Sequence, residues 1–241
     1  MNNTIFCFWT GSNDMSPNRC RCLKSLQTNS ECKVVLVSQD NLADYVIRSF
    51  PLHPAYSYLS ETHRSDYLRA YFMHLYGGGY SDIKETDHSW KNAFEELNKQ
   101  EHLWAVGYPE TRPKDVSAPP NEIQEFRQHW QSVIGNCAFI FKPHTPLTGD
   151  WIARVHSILD TKFDQLKKHP SKHPQDQWMQ APRNKLYRKM SRKLYPFIKI
   201  GRSKYPLRWT EIMGEILHPL SFQYKDRISQ SLHKPTLKHY R

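Results

Sequence analysis

The sequence predicts an α/β fold, a mixed and mainly parallel sheet with helices on both faces. Three observations carry that prediction. Two apolar runs, Thr4 to Trp9 (TIFCFW) and the β-branched Lys33 to Val37 (KVVLV), flank a stretch from Pro17 to Leu26 that can form a helix, giving the strand, helix, strand alternation of a parallel sheet. Two later runs, His102 to Tyr108 (HLWAVGY) and Cys137 to Phe141 (CAFIF), read as further strands. Between these pairs lies a long amphipathic helix, and a chain of 241 residues with 38% hydrophobic content can bury the core such a sandwich needs.

The helix is expected over His63 to Tyr76, because Tyr67, Leu68, Tyr71, Phe72 and Leu75 fall on one face. Thr62 can cap its start, and Gly77, Gly78 and Gly79 end it. Tyr80 to Ile83 then resumes in extended form, so Asp82 arrives at the end of a short strand beyond a glycine turn. A polar loop holding Pro109, Pro113, Pro119 and Pro120 separates the two later strands. Pro146 starts a helix with Trp151, Ile152, Val155, Ile158 and Leu159 on its buried side, and Trp209 to Leu217 (WTEIMGEIL) reads as a last helix. No internal repeat or low-complexity tract interrupts the pattern. The simplest partition is a core of residues 1–176 and a basic, mainly helical C-terminal part, 177–241.

Charge is unevenly placed. Ten Lys and Arg side chains and no Asp or Glu lie between Gln177 and Thr210, out of a formal net charge of +11. Leu186, Tyr187, Met190, Leu194, Tyr195, Phe197 and Ile198 interleave with these cations. Such a stretch suits an anionic membrane face, a nucleic acid or an anionic lipid-linked substrate, and equally a solvated basic helix with a buried apolar stripe. The opening residues carry no basic leader, and no run approaches the ~20 apolar residues that span a bilayer. Five cysteines cannot all pair, which points to reduced thiols in a cytoplasm. Cys20 and Cys22 lack a second Cys or His pair at zinc-ligand spacing.

Asp66 and Arg69 stand three apart, about 60° around a helix, and so share a face. That spacing fits an intrahelical ion pair. It also fits a cleft in which the carboxylate accepts hydrogen bonds from sugar hydroxyls and the guanidinium meets phosphate oxygens.

The string HRSDYLRAYFMHLYGGGYSDIKET, His63 to Thr86, resembles the signature of the DXD-motif sugar transferases of the family 32 and capsular-polysaccharide type. There, a helix bearing Ser-Asp-x-x-Arg leads into Tyr-Gly-Gly-x-Tyr and a metal-binding acid. FWTG at Phe8 to Gly11, GNCAFIFKPHTP at Gly135 to Pro146 and YPLRWTEIMGEILHP at Tyr205 to Pro219 add looser similarity.

The resemblance implies a GT-A type, Rossmann-like sandwich that binds a nucleotide-sugar donor and transfers a hexose or N-acetylhexosamine, with retention, to a glycan or lipid-linked glycan acceptor. Capsule, lipopolysaccharide or O-antigen synthesis is the implied setting, in the cytoplasm or at the inner face of the plasma membrane. Trp9 would lie beside the base, Asp66 and Arg69 on the donor sugar, and Asp82 on a Mn²⁺ or Mg²⁺ ion and the diphosphate. Thr10, Gly11, Gly78, Gly79, Tyr80 and Lys84 complete the implied donor-binding set.

Glu211 is a candidate acceptor-side carboxylate or general base; Asn136 and His144 flank the CAFIF strand. The pattern departs from the family at one place: Lys84 stands where a second acid is expected, with Glu85 and Asp87 following. Lys84 could itself oppose a phosphate and lessen the need for a metal. Two other readings stay open, a nucleic-acid-binding module built on residues 183–208 and a catalytically silent sugar-binding homologue.

Overall fold

In the computed structural model residues 3–172 and 204–236 are described. The opening apolar run forms β1 (Thr4–Trp9), whose alternate side chains enter two separate cores: Ile5 and Cys7 on one face, Phe6 and Phe8 on the other. Burial on both faces explains why the run is continuous rather than alternating. Next comes α1 (Pro17–Asn29), started by Ser16, whose hydroxyl accepts from the Arg19 amide at 3.3 Å. Its Cys22 and Leu26, four apart, bury against the sheet, and the chain returns as β2 (Lys33–Ser38), parallel to β1.

The long helix, α2 (Glu61–Leu75), begins two residues earlier than the sequence suggests. Ser60, not Thr62, is its cap, because Ser60 has the extended backbone a cap needs and its hydroxyl accepts from His63 N at 3.2 Å. After the helix, Gly77 and Gly78 take φ of +62° and +87°, a left-handed pair that turns the chain directly into β3 (Gly78–Ser81). A Cβ on Gly78 would stand 2.7 Å from the Thr4 carbonyl oxygen. The glycine turn thus lets β3 press against β1, and Asp82 emerges one residue past the strand end.

The remaining elements are α3 (Lys91–Lys99), β4 (Ala105–Pro109), α4 (Ile123–Gln128) within the proline-containing loop, β5 (Ile134–Phe141), α5 (Pro146–Lys168), α6 (Gly214–Gln223) and β6 (Ile228–Ser229). The sheet runs β2-β1-β3-β5-β4-β6. The β1–β2, β1–β3 and β4–β6 pairings are parallel, while β5 runs antiparallel to both its neighbours. Helices α2, α5 and α6 cover one face and α1 and α3 the other, each with its own buried cluster. This is the mixed, mainly parallel α/β sandwich the sequence predicts.

Its last helix differs from expectation: residues 209–213 form turns and α6 starts only at Gly214. The boundary expected at 176/177, and nearly all of the basic stretch, lie outside the described residues. The part that follows is fastened to α2 through buried His63. Tyr205 hydroxyl lies 2.9 Å from His63 Nδ1, and the Arg208 carbonyl 3.0 Å from His63 Nε2. That clamp sets Trp209 to Gly214 beside the N-terminal half of α2. Among the described residues no helix is long and apolar enough to cross a membrane.

Candidate functional site

A cleft of about 840 Å³ opens at the carboxyl ends of β1 and β3. Such a volume is typical of small-molecule sites, and strand carboxyl ends are where open α/β sheets bind ligands. One wall is a polar stripe of α2. Glu61, Thr62, Ser65, Asp66 and Arg69 all line it, at spacings that keep them on one helical face opposite the core. Trp9, Thr10 and Gly11 form the end of β1 at the rim, Tyr80 and Asp82 the floor, and Trp209, Thr210, Met213 and Gly214 the far side.

Arg69 organises the floor. Its guanidinium bridges two carboxylates, with Nη1 3.2 Å from Asp66 Oδ1 and Nη2 3.1 Å from Asp82 Oδ1, and donates to the Asn136 carbonyl at 3.3 Å. The same group lies over the Tyr80 ring, 4.5 Å from its centroid. Tyr80 in turn stacks on Phe8 and donates its hydroxyl to Asp82 Oδ1 at 2.6 Å. A tight turn past β3, in which the Lys84 amide donates to the Asp82 carbonyl, folds Lys84 back so that its Nζ stands 2.9 Å from Asp82 Oδ2 and 2.7 Å from Cys137 Sγ.

These partners set the two carboxylates apart electrostatically. Burial pushes the Asp66 carboxyl up to about 7; the nearby Arg69 charge only partly offsets it, and Asp82 adds to the rise. Burial would raise Asp82 too, yet Lys84, Arg69 and the Tyr80 hydrogen bond together hold it well below the usual carboxylate range. One acid is therefore ionised throughout neutral pH and the other is poised to gain or lose a proton. Burial likewise raises the Cys137 thiol, with Asp82 adding to the rise and Lys84 opposing it.

Not every expected residue reaches the cleft. Gly78 and Gly79 are interior to the sheet: Gly78 abuts Thr4, and a Cβ on Gly79 would meet Trp90 at 3.0 Å and Ile5 at 3.2 Å. The close approach they permit is strand to strand, not backbone to donor. Lys84 sits behind Asp82 rather than on the cleft wall.

Glu211 also differs from its expected place. It lies in the turn before α6, does not line the cleft, and is held by Lys162 Nζ at 2.7 Å and by the Arg208 amide at 2.8 Å. His144 stacks edge-on to His74 at 5.1 Å, also off the cleft.

Arg19, Glu61, Ser65 and Cys137 are among the lining residues that the sequence does not single out as site residues. Glu61 and Ser65 precede Arg69 by eight and four, the spacing of a single helical stripe, so helix geometry could have found them. Arg19 and Cys137 carry no such local signal, because only the sheet brings α1 and β5 to this place. Asn136 also lines the cleft, with its side-chain oxygen buried and without a hydrogen-bond partner. A Cβ on Gly214 would come within 2.8 Å of Asn136 Nδ2, so the glycine leaves room for that amide.

The expectation that Asp82 holds Mn²⁺ or Mg²⁺ meets a donor set that does not fit one. Both Asp82 oxygens already face cations, and Arg69 fills the gap between Asp82 and Asp66. Among the described residues no group of three or more His, Cys, Asp or Glu side chains could hold a metal ion.

A protein-family model described as "Capsular polysaccharide synthesis protein" matches residues 1–83. That segment, about a third of the chain, takes in Trp9, Asp66, Arg69 and Asp82. No curated protein matches. Among solved structures, one titled "PaToxG Glycosyltransferase" is similar at a TM-score of 0.42 and 10% identity, covering 99% of this chain and 82% of that one.

Proposed function

We propose that the chain is a glycosyltransferase that moves a hexose or N-acetylhexosamine from a nucleotide-sugar, a UDP-sugar in the first instance, to a glycan acceptor in surface-polysaccharide synthesis. The observation that carries this reading is the floor of the cleft, where Arg69 joins Asp66 and Asp82 at the carboxyl ends of two parallel strands. The family match over residues 1–83 supports it, because the matched segment supplies that same triad.

In this reading the base stacks on Trp9. The indole edge is already fixed by donation from Nε1 to the Asn13 carbonyl at 2.7 Å, so little ordering remains for binding to pay. Arg69 meets phosphate oxygens, and Asp66 and Asn136 accept from sugar hydroxyls. During transfer the bond from the sugar C1 to the phosphate oxygen breaks with its electron pair on the phosphate. The acceptor oxygen bonds to C1 and its proton passes to the departing phosphate, the course that suits retention. The Trp209 to Gly214 wall, clamped by His63, excludes water from one side of the reacting carbon. Docking of the basic stretch on an anionic membrane near a lipid-linked acceptor belongs to the same proposal.

The test is a panel of UDP- and GDP-sugars scored for released nucleoside diphosphate. Release from one donor, reduced about 100-fold or more in Asp82→Asn, is the expected outcome, since that change removes the carboxylate that fixes Arg69 and Lys84 in place. Equal release by the variant would remove the site from the mechanism.

A further inference from the structure

We infer that the donor's diphosphate is neutralised by two arginines of this chain, Arg19 and Arg69, and that the site works without a divalent metal. The inference rests on the transferase reading and departs from the metal-binding acid that the motif resemblance implies.

Metal-assisted transfer asks a protein for carboxylate oxygens with free lone pairs that converge on one point. Here the carboxylates converge on a guanidinium instead. Asp82 Oδ1 accepts from Arg69 at 3.1 Å and from Tyr80 at 2.6 Å, while Oδ2 faces the Lys84 ammonium at 2.9 Å. Asp66, the other acid of the floor, turns its Oδ1 to the same guanidinium at 3.2 Å. Lys84 occupies the sequence position of a second acid and is 7% exposed, so its charge is fixed in place rather than free to swing away. The later acids do not replace it: neither Glu85 nor Asp87 lines the cleft.

What a metal would supply, positive charge beside the leaving group, the arginines can supply. Arg19 projects from the first turn of α1 into the cleft, where its Nη1 donates to the Ile83 carbonyl at 2.7 Å. That bond ties it to the residue next to Asp82. Arg69 comes from the α2 side. A guanidinium is a permanent cation of planar shape that meets phosphate oxygens directionally, without an ion. Asp82 then acts as a positioning residue, fixing Arg69 through its shared oxygen.

The test uses the whole chain and three readouts. Titration of Mn²⁺ alone, followed by its paramagnetic resonance signal, is expected to show no saturable binding to the wild type. Binding of UDP by calorimetry is expected to be the same within about twofold with chelator or with Mn²⁺, and to weaken about tenfold in Arg19→Ala, the loss of one charge-assisted contact. Lys84→Asp, which restores an acid two residues after Asp82, is expected to gain saturable Mn²⁺ binding; should that variant not fold, the wild-type titration decides alone. Saturable Mn²⁺ binding by the wild type, or UDP binding lost to chelator and restored by Mn²⁺, overturns the inference. A wild type that takes up neither Mn²⁺ nor any nucleotide supports exclusion of the metal while defeating both the role given to Arg19 and the transferase reading.

Discussion

Two charged networks lie within a few residues of the same cleft and face opposite ways. Arg69, Asp66, Asp82 and Lys84 form the floor, with Arg69, Asp66 and Asp82 reaching the cavity. Arg208, Glu211, Glu215 and Lys162 form a second set behind the Trp209 to Gly214 wall. Both contain an arginine shared between two acids, and both include an Arg–acid pair at three-residue spacing. The first is anchored on a helix and a strand end and looks into the cleft. The second closes on itself, with the Glu211 carboxylate taking Lys162, Arg208 and a backbone amide, and serves to brace a turn. Residue type and spacing do not separate a site from a brace; what the group faces does.

The largest separation is expected from the two arginines. Arg69→Ala should weaken nucleotide-sugar binding about 100-fold or more, because the phosphates lose a cation while Asp66 is left beside them unpaired and Asp82 keeps only Lys84. Arg208→Ala should change donor affinity less than about twofold, since its guanidinium is half exposed and off the cleft. Calorimetric titration of both variants checks the pair. Stability should show the reverse order at Glu211: Glu211→Ala should lower unfolding free energy by about 1–3 kcal/mol in urea titration, leaving the Arg208 amide without its acceptor and Lys162 with only the Pro206 carbonyl, with little effect on binding. Trp9→Ala should cost donor binding about tenfold, the loss of one base-stacking platform, with no comparable loss for free sugar-phosphate.

A smaller effect distinguishes two buried titrating groups on opposite sides of the fold's charge balance. Asp66 is raised from 3.8 to about 7 by burial, so its contribution to stability is complete below pH 3.8 and is lost as pH rises through about 7. His218 is lowered from 6.5 to about 4 by burial, so its contribution is complete above pH 6.5 and is lost as pH falls through about 4. Between pH 5 and 7.5, as an approximate window, the stability of Asp66→Asn measured against wild type should therefore rise with pH. A flat difference would mean that Asp66 is not held in the buried state described.

Much of the fold was legible because its signals are local. The β1 run, the α2 periodicity and the glycine turn each announce themselves within a dozen residues, and together they put Asp66 and Arg69 on α2 and Asp82 just past the end of β3. Errors arose where two local solutions compete or where distance in sequence matters. Ser60 and Thr62 are both able caps, and the extended backbone after the 54–58 turn selects Ser60. The last helix starts late because Glu211 binds back to the Arg208 amide, which fixes a turn before α6. Arg19 reaching the cleft from α1 depends on the assembled sheet, so no window of sequence could show it. The resemblance named Gly78 and Gly79 for the right reason, close approach, and the wrong partner.

Under the proposed function the Arg69 floor, and not the Arg208 brace, is where a nucleotide-sugar binds. Side-by-side calorimetry of wild type, Arg69→Ala and Arg208→Ala with the donor selected from the panel tests it most directly. Saturable one-to-one binding that disappears in Arg69→Ala and persists in Arg208→Ala is the predicted result; binding that survives in Arg69→Ala at wild-type strength would contradict it.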